Sequence, residues 1–290
     1  KKMKFDIFYV DAFTKEIFSG NPAAVIFKHF EDKTMQSIAS ENNLSETAFI
    51  DFENNYIRWF SPKCEVDLCG HATLAAAYVF FKYIDNNSSS ISFNSNSGEL
   101  KAYKKDSIIY LDFPKDNFKQ VDQIESVFKA TNIRPAETYL GDINLFAVFN
   151  SENQIASIRP NFNLLENLPG QGLIISSQGN ECDFVSRYFC PKFGINEDPV
   201  TGSAHTTLIP YWSNKLKENS LHAKQISARG GELFCTNEGP DSTLNVFLLT
   251  LVPVTTVDAE LTTLSVIKID AFLTVPVLTD ITSVSFAPTR

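Results

Sequence analysis

Long apolar runs are missing from this 290-residue chain. No stretch of 18 consecutive apolar residues occurs, so a membrane span is not supported. Basic clusters are missing too. Lys and Arg number 25 against 34 Asp and Glu, a formal net charge of −9, which argues against partners such as nucleic acid or an anionic membrane. Histidine occurs four times and cysteine five times, and Cys64 and Cys69 have no second cysteine pair at zinc spacing, so no metal is expected. An odd cysteine count in a chain this long points to reduced thiols and a cytoplasmic setting. The start Lys1-Lys2-Met3-Lys4-Phe5 is basic but lacks a following apolar segment, so it does not read as a signal peptide. Dinucleotide fingerprints, phosphate loops and nucleophile elbows are absent, which leaves the chemistry to side chains without a cofactor. All twelve glycines lie at or before Gly239.

What is present is ordinary for a globular protein: 43% apolar and 20% charged residues, in a length that suggests two domains. Strand patterns cover Asp6 to Val10, Ala23 to Phe27, Thr47 to Phe52, Tyr56 to Phe60, Ile91 to Asn94, Leu100 to Tyr103 and Ile108 to Phe113. Met35 to Asn42 reads as a helix. Thr73 to Phe81 is apolar on nearly every side, so as a helix it must be wrapped by its domain. Pro114 to Asp122 reads as a linker. A helix from Gln123 to Thr131 follows, then strands near Asn144 to Phe149, Leu173 to Ser176 and Asp183 to Phe189, and a hairpin around Arg229-Gly230-Gly231.

An internal repeat organises the chain. Arg58-Trp59-Phe60-Ser61-Pro62-Lys63 leads to Gly70-His71-Ala72-Thr73, and Arg187-Tyr188-Phe189-Cys190-Pro191-Lys192 leads to Gly202-Ser203-Ala204-His205. The offset is 129 positions at the prolines and 132 at the glycines, so the second loop is three residues longer. Glu46 to Phe49 and Glu181 to Phe184 sit in roughly comparable places upstream. Each repeat ends at a glycine-led helix start, where unpaired N–H groups attract an anion such as a carboxylate. Two such starts across a cleft would grip a small carboxylated molecule. Singly, each is equally a plain cap.

Glu46 stands between a helix and a strand, where burial would raise its pKa and fit it for general base work; exposed, it is an ordinary surface glutamate. His71 at its helix start is either a proton shuttle or a cap, Asp198 before Pro199 either a site carboxylate or a turn residue, and Ser203 either a substrate contact or a cap.

At these residues the chain resembles the phenazine-biosynthesis isomerase (PhzF-like) family of the diaminopimelate-epimerase superfamily. The resemblance rests on Phe8-Tyr9-Val10-Asp11-Ala12-Phe13, Gly20-Asn21-Pro22-Ala23-Ala24-Val25, Asn43 to Phe49, Glu65 to Thr73, Glu197 to Ala204 and Arg229-Gly230-Gly231, in order from Phe5 to about Gly239. It implies an α+β fold of two pseudo-repeated domains, each a β-roll or barrel around a central helix. These would be residues 1–114 and 123–251, with 252–290 an atypical tail. It implies a cofactor-independent isomerase, commonly a homodimer, that moves a proton between carbons of a small carboxylated substrate. Glu46 would be the general acid/base, assisted by His71, Asp198 and Ser203. Substrate contact would fall to Asn21, Gly70, Ala72, Gly202, Ala204, Arg229 and Gly230. Two alternatives stay open: a catalytically silent binding protein on the same scaffold, and a thiol-dependent epimerase using Cys69, although the counterpart region Pro199-Val200-Thr201-Gly202 offers no second thiol.

Two departures stand out. Pro210 falls inside the expected second central helix and is expected to kink or end it. Beyond a closing strand within Leu244 to Leu251, the tail Val252 to Arg290 has no counterpart. It reads as an extra sheet, a dimer-contacting extension or an altered terminus.

Overall fold

The computed structural model describes residues 3–16, 18–105, 108–113, 115–237, 244–248, 255–261 and 267–271. Its first half runs β1 (Met3–Ala12), β2 (Asn21–Ile26), α1 (Asp32–Asn42), β3 (Glu46–Asp51), β4 (Tyr56–Phe60), β5 (Glu65–Val66), α2 (Gly70–Val79), β6 (Ser90–Ser95), β7 (Gly98–Lys105) and β8 (Ile108–Phe113). After β9 (Lys119–Gln120) and α3 (Ile124–Thr131) come β10 (Glu137–Leu140), β11 (Leu145–Val148), α4 (Glu152–Ser157) and α5 (Phe162–Leu165). The second half continues with β12 (Leu173–Gln178), β13 (Phe184–Cys190), β14 (Ile195–Asp198), α6 (His205–Leu216), β15 (Ser220–Gln225), β16 (Gly231–Asn237) and β17 (Leu244–Leu248). Two more strands follow, β18 (Thr255–Leu261) and β19 (Ile267–Ala271).

The repeat is a repeat of strand pairing. In the first half β2 lies parallel to β3, β3 antiparallel to β4, and β4 antiparallel to β5 and parallel to β6. In the second half β11 lies parallel to β12, β12 antiparallel to β13, and β13 antiparallel to β14 and parallel to β15. The fold is α+β, two matched β-rolls each around a central helix. β17 joins them by pairing with both β16 and β8.

Burial follows from this wrapping. Nine of the ten residues of α2 are buried, because β1, β2, β3 and β8 pack around it. The strands feed two cores by alternation: Ala23 and Val25 of β2 face α2, whereas Ala24 and Ile26 face Met35 and Ile38 of α1. In β13, Phe184 and Tyr188 join the central core while Val185 and Phe189 pack with Val127 and Ile155.

The repeated Arg-x-Phe motif builds the same device twice. Arg58 grips Glu65 through two hydrogen bonds of 2.7 Å and lies over the Phe60 ring at 5.1 Å. Arg187 grips Glu197 at 2.7 and 2.8 Å and lies over the Phe189 ring at 4.9 Å. Each planar fork ties the Arg strand to the segment that leads into the glycine turn.

Four expectations need correction. Glu181 is not the counterpart of Glu46: it is exposed in the turn between β12 and β13, while Glu46 opens β3, whose partner is β12. Matching Thr47 opposite Phe60 with Leu173 opposite Phe189 puts Gly172 at the place of Glu46. Pro210 does not end α6, which runs on to Leu216. Proline removes one donor, and the Thr206 carbonyl left open four residues earlier accepts instead from the Asp116 N–H at 3.2 Å. The stretch read as a linker is therefore stitched in place, since Thr207 Oγ1 also donates to Asp116 Oδ2 at 2.6 Å and β9 pairs with β10. Finally, the tail makes no separate sheet within the described residues: β18 pairs along β1, and β19 along β18. Its remainder, like Pro114 of the linker, lies outside the described residues.

Candidate active site

Glu46 is placed by the end of α1. Asn43 caps that helix in the left-handed conformation (φ 49°), and Asn42 Nδ2 donates to Thr47 Oγ1 at 3.1 Å, which holds the turn into β3. The Glu46 side chain is 15% exposed. Its Oε2 accepts from the Cys69 thiol at 3.6 Å and lies 3.4 Å from His71 Nε2. That last contact is within distance but out of line, so the buried Nε2 keeps no hydrogen-bond partner among the described residues.

From the second half, Asp198 ends β14. Its Oδ1 accepts from Asn21 Nδ2 at 2.8 Å, its Oδ2 from Thr201 Oγ1 at 2.5 Å, and the Ser45 hydroxyl also donates to it. Gln225 fastens the loop by donating to the Asp198 carbonyl and accepting from the Thr201 N–H, both at 2.8 Å.

Burial dominates the electrostatics. Desolvation, then the nearby negative charge of Asp198, pushes the Glu46 carboxyl well above the usual glutamate range. Desolvation also raises Asp198, against the opposing pull of its hydrogen bonds from Thr201, Asn21 and Ser45. The His71 ring is held down to about 3 by desolvation and stays neutral. The Cys69 thiol is pushed up by burial and by Glu46.

A cavity of about 340 Å³ opens over this cluster, between the two glycine turns. Glu46, His71, Asp198, Ser203, Gly70 and Gly202 all line it, so six of the residues singled out in the sequence converge. The N–H groups of Gly202, Ser203 and Ala204 carry no hydrogen bond among the described residues, and Gly70 and His71 begin α2 without helical acceptors. The second turn differs from expectation. α6 begins at His205, and the 202–204 stretch is a tight turn in which the Gly202 carbonyl takes the His205 N–H at 3.0 Å. Ser203 caps nothing, which leaves its hydroxyl to the cavity.

Five expected substrate contacts are not on the cavity wall. Asn21 is fully buried and spends its amide N–H groups on Asp198 and on the Val200 carbonyl, both at 2.8 Å. Ala72 gives its N–H to Cys69, and Ala204 is buried behind Ser203. Arg229 donates to the Gly20 carbonyl and to Asp11 Oδ1, both at 2.8 Å, and Gly230 accepts from the Gly20 N–H at 2.8 Å. Asn21, Arg229 and Gly230 thus spend their hydrogen bonds across the two halves.

Among the wall residues the sequence reading passed over are Tyr188, Asn144, Cys190 and Thr201. Thr201 was reachable, since the 132-residue offset that matches His71 with Ser203 matches Cys69 with Thr201. Tyr188 OH donates to Asn144 Oδ1 at 2.9 Å, and a Cβ on Gly172 would meet that hydroxyl at 2.6 Å. Tyrosine therefore fills the space that a second Glu46 would need. As for metals, Glu46, Cys69 and His71 offer three ligand atoms within 4.8 Å of one another. A metal requires the thiolate, and here the surroundings hold the thiol protonated, so the trio is poorly prepared as a ligand set.

The profile of phenazine biosynthesis-like proteins matches residues 10–242. An uncharacterized isomerase of Pseudomonas aeruginosa is 45% identical over 241 residues, covering 82% of this chain and 92% of that protein. The crystal structure of a PhzF-family protein from Enterococcus faecalis superposes with a TM-score of 0.81 at 42% identity, covering 90% of this chain and all of the other. A hydroxyproline epimerase from Agrobacterium vitis, solved with trans-4-hydroxy-L-proline, shares the fold at 11% identity and a TM-score of 0.54. The chain belongs to the phenazine biosynthesis-like (PhzF) family and is an isomerase.

Proposed function

We propose that the chain moves a proton between two carbons of a small carboxylated substrate, without a bound cofactor, and that Glu46 is the general acid/base. The observation that carries this reading is the buried Glu46 carboxyl, raised by desolvation and Asp198, on the wall of a cavity flanked by the two glycine turns. The substrate carboxylate sits against the open N–H groups of Gly202 and Ser203. Ionised Glu46 takes a proton from one carbon, the charge spreads toward that carboxylate, and Glu46 returns the proton to a second carbon on the same face. His71 and Asp198 hold the substrate's polar groups, and the Ser203 hydroxyl contributes from the opposite turn.

A silent binding protein would leave Glu46 solvated and remote; its contact with His71 at 3.4 Å speaks for chemistry. A thiol-dependent epimerase needs two reactive thiols. Cys190 does line the cavity, but burial, Asp198 and Glu46 push its pKa up, which disfavours the reactive thiolate. The proposal extends to a homodimer in the cytoplasm, whose acidic surface turns away nucleic acid and anionic membranes. Among the described residues, no helix is long and apolar enough to cross a membrane.

The test is solvent deuterium incorporation, followed by NMR, into a panel of small cyclic and unsaturated carboxylates. Wild-type protein should label at least one, and Glu46→Gln should slow that labelling by about 10²–10⁴-fold. Undiminished labelling by the variant would remove Glu46 from the role.

A further inference from the structure

We propose that Asn21 is a positioning residue: by docking on Asp198 and Val200 of the second half, its amide locks the His71 imidazole in the tautomer that carries its proton on Nε2, toward Glu46. The use of this tautomer in turnover rests on the acid–base reading of Glu46; the tautomer itself does not.

The argument counts donors and acceptors. Asn21 Nδ2 has two protons and faces three groups: Asp198 Oδ1 at 2.8 Å, the Val200 carbonyl at 2.8 Å and His71 Nδ1 at 3.2 Å. At neutral pH the first two can only accept, since the Asp198 carboxyl, raised only to about 6, is ionised and a peptide carbonyl has no proton. The amide therefore cannot be turned over. A flip would set Oδ1 against two oxygens, a cost large enough that the fold leaves Oδ1 buried without a partner instead. With the NH2 group fixed, a proton on His71 Nδ1 would point at a donor, and the other atom beside Nδ1, the Cys69 sulfur at 3.5 Å, is only a weak acceptor. The ring proton belongs on Nε2, the uncommitted atom 3.4 Å from Glu46 Oε2.

Two consequences follow. Glu46 Oε2 accepts from Cys69 and has the His71 Nε2 proton beside it, out of line for a hydrogen bond, so Oε1 is the oxygen left free to carry the transferable proton. The locking also spans the molecule. Asn21 and His71 belong to the first half, Asp198 and Val200 to the second, so apposition of the halves sets the state of the ring. Neither the glycine turns nor the helix starts supply this constraint, because their groups are backbone.

The experiment is a long-range proton–nitrogen NMR correlation on the full chain labelled with ¹⁵N-histidine, at neutral pH, with His71 assigned through His71→Gln. Wild-type protein should show an unprotonated Nδ1 and a protonated Nε2, by at least about tenfold over the other tautomer. Asn21→Asp presents an oxygen to Nδ1 and should reverse the assignment; Asn21→Ala presents nothing and should let both tautomers appear. Circular dichroism establishes that each variant is folded. A wild-type ring protonated on Nδ1 overturns the proposal whether or not any variant folds, and so does a folded Asn21→Asp and Asn21→Ala pair with the wild-type tautomer unchanged. No substrate enters the measurement, so failure of the deuterium test leaves this result standing, and the reverse.

Discussion

Gly70 and Gly202 meet back to back: a Cβ on Gly70 would stand 3.3 Å from the Gly202 Cα, and one on Gly202 would stand 3.5 Å from the Gly70 Cα. Each would also press on a buried ring, Phe113 and Phe13 respectively, at 3.2 Å. The two turns that flank the cavity are thus in contact, and glycine at both places is what lets them approach. Gly70→Ala and Gly202→Ala are each expected to cost about 1–3 kcal/mol by overpacking, read as a lower urea midpoint. Sharing one contact, they should not add, and a double variant as destabilised as the sum would count against the contact.

The two Arg–Glu clasps should differ in worth. Arg187 is nearly buried and also donates to the carbonyls of Ile155 and Ile158 at 3.0 and 2.8 Å, whereas Arg58 is more open and its second partner, Asp32, is exposed. Arg187→Met leaves two carbonyls and Glu197 without their donor and should cost about 3–5 kcal/mol; Arg58→Met should cost about 1 kcal/mol. Chemical denaturation of both variants reads the difference, and equal losses would contradict it.

Pro210→Ala ordinarily relieves a helix of up to about 3 kcal/mol of strain and lost bonding. Here the Thr206 carbonyl is already satisfied by the Asp116 N–H, so the gain should stay below about 1 kcal/mol in thermal or urea unfolding. A full-sized gain would mean that the Asp116 bond contributes little.

Stability should respond to pH from both sides. His71 and His205, held down to about 3 and about 4 by burial, stay neutral in the fold where the unfolded chain protonates below about 6.5. The unfolded chain then binds more protons, so these two groups make stability fall as pH drops through that interval. Glu46 and Asp198 are raised, so the fold keeps protons that the unfolded chain releases above about pH 4, and stability falls as pH rises through their native range. The slopes oppose each other in mildly acidic solution, giving a plateau there. Glu46→Gln removes most of the alkaline arm. Its Tm should exceed the wild-type Tm at pH 8.5 and converge with it near pH 5; a constant offset across that range would contradict the assignment.

How much of this was legible in the sequence depends on the kind of signal. Arg58-x-Phe60 and Arg187-x-Phe189 announced two copies of one strand arrangement, because each motif binds its own local glutamate. The apolar wrap of α2 was readable for the same reason, since a helix without a polar face has nowhere else to go. Register was not readable. The Glu181 alignment failed because the loops differ in length between copies, and only the pairing of Leu173 with Phe189 shows Gly172 to be the counterpart of Glu46. Asn21, Arg229 and Gly230, expected as substrate contacts, bond across the two halves and lie off the cavity wall. Nothing in a linear sequence separates a polar residue that faces a cavity from one spent across an interface nearly 180 residues away in the chain. That α6 would continue past Pro210 was not readable either, because Asp116, which takes up the open carbonyl, lies far upstream.

The most direct test of the account is the titration of the Glu46 carboxyl carbon in protein labelled with ¹³C-glutamate, assigned by loss of its signal in Glu46→Gln. The account predicts a midpoint clearly above the ordinary glutamate value of about 4.3, falling toward that value when Asp198→Asn removes the neighbouring charge. A Glu46 that titrates at or below the ordinary value, indifferent to Asp198→Asn, would contradict it.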